Sequence, residues 1–327
     1  MARQRHLRLI VFIALISGSA LLAFNPLAFP QQRSPFKPNL SFKLTGGWGS
    51  ALEENDVNRM LDSFTNNSKF VYLREHDPSA VIGELTALDN RVSEWEAEVR
   101  MDFSRHISLG VATSLPYKKT NEGTVRYIIF VPEGQQVHDY TYHPTILVGP
   151  PIKFTLYYCP FKGSMFRPYF NAGIGLYPVE IRIERKFFIT FLSAATGLTI
   201  METNAQPEYP LGFHAGFGLE LDIAKGLSLV VEGQVRGVNF ANFRGRTQVS
   251  TWEWTAMGDL RKTSYHVSAG GLYYYTQEDA HLGARYAWLH AWDVAPTVGS
   301  GFPADVRRAK LNLSRSAIRV GLRIRLF

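Results

Sequence analysis

The chain reads as an all-β protein: a transmembrane antiparallel up-and-down β-barrel of ten strands, with eight as the alternative, carrying short turns at one end and long loops at the other. Three observations predict this. Segments of strict period-two alternation recur along the 327 residues. After the N-terminal segment, no apolar run reaches the ~20 residues that a membrane-crossing helix requires. The links between alternating segments sort by length, as they do in barrels that cross a bilayer.

Taken in order, Arg3, Arg5 and Arg8 precede an apolar run from Leu9 to Phe24, broken only by Ser17, Gly18 and Ser19. That is the layout of a secretory signal. Residues 1–28 are read as the signal, with Ala23 and Ala28 both offering cuts and an uncleaved anchor as the alternative, and residues 29–327 as the barrel domain. Cleavage after Ala28 would remove three of the 35 Lys and Arg residues, leaving 32 against 28 Asp and Glu. With no run of like charge, no nucleic-acid partner is expected. The single cysteine, Cys159, excludes an intramolecular disulfide and a Cys-rich metal site. No metal and no cofactor are expected, and His138 and His143, five apart, read as solvated.

The strands follow. Leu40 to Trp48 alternates Phe42, Leu44, Gly46 and Trp48 against Ser41, Lys43, Thr45 and Gly47. Trp95, Ala97, Val99, Met101 and Phe103 oppose Glu94, Glu96, Glu98, Arg100 and Asp102, and a tight turn at Ser104 to His106 returns the chain through Ile107 to Leu115. Ile146 to Tyr158 alternates around Pro150 and Pro151, which should bend or bulge it. Arg167 to Leu176, Leu211 to Asp222, Leu227 to Arg236, Tyr265 to Thr276, His281 to Trp292 and Lys310 to Phe327 complete the ten. Short links fall near 104–106, 159–166, 224–226 and 277–279, and long ones near 50–90, 116–143, 185–208, 239–264 and 293–309. In a bacterial membrane barrel the short turns are periplasmic and the long loops extracellular.

The polar faces mix charges of both signs with Gly173, Gly175, Gly216 and Gly218. That composition suits a narrow interior where large and small side chains interlock; on a solvent face glycine would only weaken the strand. The predicted lumen network comprises Lys43, Glu94, Glu96, Glu98, Arg100, Asp102, Lys153, Glu220, Glu232, Arg236, Arg285, Arg319, Arg323 and Arg325, paired because an unpaired buried charge is costly. Trp48, Trp95, Tyr158, Tyr265, Trp288 and Trp292 lie near strand ends and read as an interfacial girdle. In the first long loop, Glu53 to Phe64 places Val57, Met60, Leu61 and Phe64 at helical spacing, predicting a short amphipathic helix over the barrel mouth. Trp252 and Trp254 offer either a recognition surface or loop packing.

The terminal SAIRVGLRIRLF resembles the C-terminal strand of Gram-negative outer-membrane β-barrels. The resemblance implies recognition by the barrel-assembly machinery through Gly321, Ile324, Leu326 and Phe327, although Phe327 falls on the arginine parity. It also implies a place in the cell outer membrane, against outer-membrane lipid and lipopolysaccharide. Residues 151–177, PIKFTLYYCPFKGSMFRPYFNAGIGLY, are similar to a strand-turn-strand of the family that includes small OmpA- and OmpW-like barrels. His266 and Ser268, in YHVSAG, resemble the His-x-Ser pair of lipid A deacylase barrels, where an imidazole serves as base for a serine. An omptin-like protease would need paired aspartates and an Asp-His dyad near the mouth, a pattern not evident here. The expected role is structural or surface-interacting, without enzymatic activity, around a largely plugged lumen and with the surface ligand unnamed. A narrow porin-like channel is the alternative, and a lipid A-modifying hydrolase using His266 and Ser268 the second.

Overall fold

The computed structural model describes residues 38–326 apart from 52–54, 66–80, 84, 86–87, 89–90, 132–133, 162–164, 192–195, 255–258, 280–283 and 298–303. The signal segment and Phe327 lie outside the described residues.

Alternating segments pair with their sequence neighbours to close an eight-stranded antiparallel barrel: β1 (Asn39–Ala51), β2 (Arg91–Asp102), β3 (Ile107–Ser114), β4 (Ile152–Tyr158), β5 (Phe166–Leu176), β6 (Leu211–Ala224), β7 (Leu227–Gly237) and β8 (Arg315–Arg325). Closure runs from Ser41↔Arg325 to Ala51↔Arg315, so no edge is left for another strand. At the lower end the turns are short. Ser104 Oγ accepts from the backbone N–H of His106 (3.1 Å) and Ile107 (2.9 Å), and Gly226 takes a φ of +80° between β6 and β7.

The ten-strand expectation is corrected. The segment Tyr265 to Thr276 belongs to a second sheet, within the strand Leu260–Asp279, and so does the described part of the segment His281 to Trp292, the strand Ala284–Trp292. The predicted link near 277–279 is therefore no barrel turn. Alternation reports that a strand has two chemically different faces; it does not say which sheet the strand joins.

This second sheet is built from the long connections at the upper end. Its central order is Leu260–Asp279, Phe243–Trp254, Thr196–Pro207, Val179–Phe191, Gly134–Val148 and Gly123–Val131, each antiparallel to the next. Gly270 and Gly271 mark where Leu260–Asp279 passes from pairing with Phe243–Trp254 to pairing with Ala284–Trp292. Gly270 has a φ of +139°, and a Cβ there would collide with the Trp292 carbonyl.

Prolines stand where barrel passes into second sheet: Pro116 after β3, Pro150 and Pro151 before β4, Pro178 after β5 and Pro210 before β6. Proline cannot donate to a ladder, which ends one pairing pattern and lets another start. The predicted single strand Ile146 to Tyr158 is accordingly two, split at Gly149–Pro151. Across these points the inward face changes chemistry. Along β5 it carries Arg167, Tyr169 and Asn171; beyond Pro178 the same parity carries Val179, Ile181 and Ile183, all buried. The outward face changes in the opposite sense, from the exposed Ile174 and Leu176 to Glu180, Arg182 and Glu184. The barrel is thus polar inside with an exposed apolar wall, and the second sheet is apolar inside.

Helix α1 (Asp56–Thr65) fills that apolar interior. Asn55 caps its N-terminus, its side-chain oxygen accepting from the Asn58 N–H at 2.9 Å. Val57, Met60, Leu61 and Phe64, the predicted face, are all at most 3% exposed. The Phe64 ring lies 4.6 Å from both Tyr142 and Tyr286 and 5.5 Å from Trp288. Asp56 ties the helix to the last long connection through Arg307 at 2.5 and 2.7 Å and the Lys310 N–H at 2.6 Å. Strand Ala284–Trp292 packs against it, the Ala287 N–H donating to Ser63 Oγ at 2.9 Å.

Replacing Phe64 by alanine should cost the cap about 3–5 kcal/mol while leaving the barrel closed. Limited proteolysis should cut the second sheet and spare a protected barrel core.

Candidate functional site

The barrel interior holds the densest chemistry. Alternate residues of each strand point inward, and eight strands leave room for little but side chains. The four lumen glycines make that room. A Cβ on Gly218 would run into the Tyr169 ring, on Gly216 into Asn171, and on Gly173 into the His214 ring.

At the lower level, Arg323 Nη1 donates to both Glu220 oxygens at 3.0 and 2.8 Å, and Nη2 reaches Asp102 at 3.2 Å. Arg100 Nη1 donates to Glu220 at 2.9 Å. Ser108 Oγ bridges Arg100 and Asp102. Arg167 and Arg325 share Asp222, the latter at 2.7 Å.

At the middle level, the Lys43 ammonium lies 3.1 Å from Glu98 and 3.3 Å from Glu232 and donates to the Tyr157 hydroxyl at 2.9 Å. Tyr157 donates to Glu98 at 2.5 Å and Tyr169 to Glu232 at 2.7 Å. The Arg100 guanidinium sits 4.1 Å from the centre of the Tyr157 ring. Arg319 pairs with Glu232 and, at 2.5 Å, with Glu96, which also holds Lys153. Uppermost, Arg236 and Arg315 meet Glu94.

Most of the predicted network therefore converges: Lys43, Glu94, Glu96, Glu98, Arg100, Asp102, Lys153, Glu220, Glu232, Arg236, Arg319 and Arg323 are buried in the barrel, and Arg325 lies at its lower end. Arg285 does not join them; it is exposed on strand Ala284–Trp292 of the second sheet. Sequence reasoning missed Arg167, Arg315, Asp222, Tyr157, Tyr169 and His214. The signal was present for the arginines and tyrosines, which share the parity of inward residues already singled out on their strands.

The aromatics divide. Trp48 and Trp95 stand exposed on the outer wall near the upper end and Tyr158 on the same face near the lower end. Tyr265, Trp288 and Trp292 are corrected: they belong to the second sheet, where Trp288 packs on the apolar core. They were misplaced with their strands. Of the predicted assembly residues, Gly321 pairs opposite Thr45 within the closing ladder, while Ile324 and Leu326 face outward and exposed. Trp252 and Trp254 lie half-buried on the second sheet, with the Phe188 ring 5.8 Å from Trp254 and the Lys262 ammonium 5.4 Å from Trp252.

His266 and Ser268 lie on the second sheet, away from the barrel wall. Ser268 Oγ is hydrogen-bonded to His290 Nε2 at 2.8 Å, while His266 is exposed. Burial, then Arg185, then His266 depress the His290 pKa to about 3, so the ring is neutral at ordinary pH. Among the described residues its buried Nδ1 has no hydrogen-bond partner, and no carboxylate orients it as a catalytic triad requires. Among the described residues no cluster of three or more His, Cys, Asp or Glu could hold a metal ion.

No protein-family model matches the chain, and no curated protein matches it. The reading of the site rests on its geometry.

Removing one member of this lattice should be far worse than removing a matched pair. Arg319→Leu leaves Glu96, Glu98 and Glu232 to Lys43 and Lys153 alone, one buried negative charge in excess, and should cost about 3–5 kcal/mol. Arg319→Leu with Glu232→Leu should recover much of that loss, because Glu96 keeps Lys153 and Lys43 keeps Glu98. Urea midpoints of the refolded protein check the order.

Proposed function

We propose that the protein is an integral outer-membrane β-barrel with a structural or surface-interaction role, whose lumen is plugged and does not conduct. The observation that carries this is a barrel interior filled by paired charges and closed above by the apolar core around α1. The exposed apolar wall supports the bilayer part of the reading. Phe42, Leu44, Val99, Leu109, Phe154, Ile174, Phe217, Val231 and Leu322 are each 39–51% exposed and together girdle the barrel. A water-soluble monomer rarely exposes so extensive an apolar surface. Outer-membrane lipid and lipopolysaccharide are its natural contacts, and insertion would run through the barrel-assembly machinery.

In this orientation the second sheet stands outside the cell as the surface open to partners. Its outer face offers Phe188, Trp252 and Trp254 beside Lys262, an aromatic and cationic patch of the kind that anchors interfaces.

Planar-bilayer recording tests the plug. The wild-type protein should insert without discrete conductance steps. Ohmic steps whose size changes in Arg323→Ala would make the lumen a channel and overturn the reading.

A further inference from the structure

The charges inside the barrel do not balance at every level, and the imbalance has an address. In the middle, Lys43, Lys153 and Arg319 meet Glu96, Glu98 and Glu232; below them Arg100 and Arg323 meet Asp102 and Glu220. At the bottom Arg167 and Arg325 share Asp222, but the Asp222 and Arg325 side chains are 34% and 22% exposed, so water reaches that surplus.

The upper level has no such relief. Arg236 and Arg315 are direct cross-strand partners on β7 and β8, each 5% exposed. Like charges directly opposite one another destabilise a sheet, and more so when desolvated. Among the described residues a single carboxylate serves both: Glu94 Oε1 lies 3.4 Å from Arg236 Nη1 and also pairs with Arg315 Nη2. The Nε–H of each arginine is buried with no hydrogen-bond partner among the described residues. Just beyond β7 the same parity turns apolar at the buried Val238 and Phe240, and the guanidinium groups rest 5.1 Å and 5.2 Å from the ring centres of Tyr177 and Tyr117. Among the described residues one positive charge and two unused charged donors are thus enclosed between Glu94 and an apolar lid.

We propose that this level is a binding site for a small inorganic anion, held between Arg236 and Arg315 at the junction of barrel and cap. Such an ion neutralises the surplus charge and accepts charge-assisted bonds from the free Nε–H groups. The site goes beyond the surface role: it makes an ion a structural component that locks the top of the lumen to the lid above it.

Crystals of the full detergent-extracted chain grown in sodium bromide, with a parallel set in sodium phosphate, test this. An anomalous bromide peak, or tetrahedral density in the phosphate set, between the two guanidinium groups is the expected result, and the arm that fills separates halide from oxyanion. An empty position in both sets, with Glu94 still shared, overturns the proposal. In solution, chloride replacing gluconate at constant ionic strength should raise the thermal midpoint of the wild-type protein saturably and leave Arg236→Gln unmoved. An equal response in both proteins would contradict the site.

Discussion

Enclosing a charge in a closed barrel removes it from water, and the rest of this structure follows from how those charges are met. Arg319, Glu232 and Lys43 are fully buried, and each touches at least two oppositely charged groups or tyrosine hydroxyls from other strands. The pairs join neighbouring strands, as Lys43–Glu98 and Arg319–Glu232 do, or reach strands further round the barrel, as Lys153–Glu96 and Arg323–Glu220 do. They therefore specify which strands face each other and in what register, a role that ion pairs fill better than they add net stability. Slipping any strand by one residue would turn its charges to the outer wall and its apolar residues into the lattice.

The second constraint is the change of chemistry along an unchanged face. From β7 into the residues that follow it, Glu232, Gln234 and Arg236 give way to Val238 and Phe240 at the same parity, all buried. The proposed bilayer placement accounts for this: the medium outside would change at the same height, apolar against the barrel and aqueous against the second sheet. The amphipathic helix and the returning strand Ala284–Trp292 then follow from need: the upper sheet is open, its inner face is apolar, and something in the chain must cover it. Phe64 and Leu289 do so from opposite elements.

Much of this was legible in the sequence, for physical reasons that also explain the failures. Alternation in a strand such as Glu94 to Phe103 has one reading, so its face assignment carried straight into the lumen. Helical spacing in Val57, Met60, Leu61 and Phe64 likewise located the lid. The first choice of ten strands failed and the alternative of eight held, because the weaker pair of segments between Tyr265 and Trp292 joins another sheet, and membership of a sheet is a property of its partners. Arg285, Tyr265, Trp288 and Trp292 were misassigned for that single reason. Arg167 and Arg315 escaped because they stand at strand ends, where a charge ordinarily means a turn. The shared carboxylate at Glu94 was beyond sequence reasoning, since three separate strands bring its partners together.

The six tryptophans supply the most direct test of the central claim, that the barrel wall and the second sheet face different media. Trp48 and Trp95 lie on the outer wall, and Trp252, Trp254, Trp288 and Trp292 on the second sheet. Single-tryptophan variants reconstituted in vesicles of brominated lipid should lose fluorescence at Trp48 and Trp95 and keep it at the other four positions. Quenching of Trp252 and Trp254 to the same extent, or none at Trp48 and Trp95, would contradict the account.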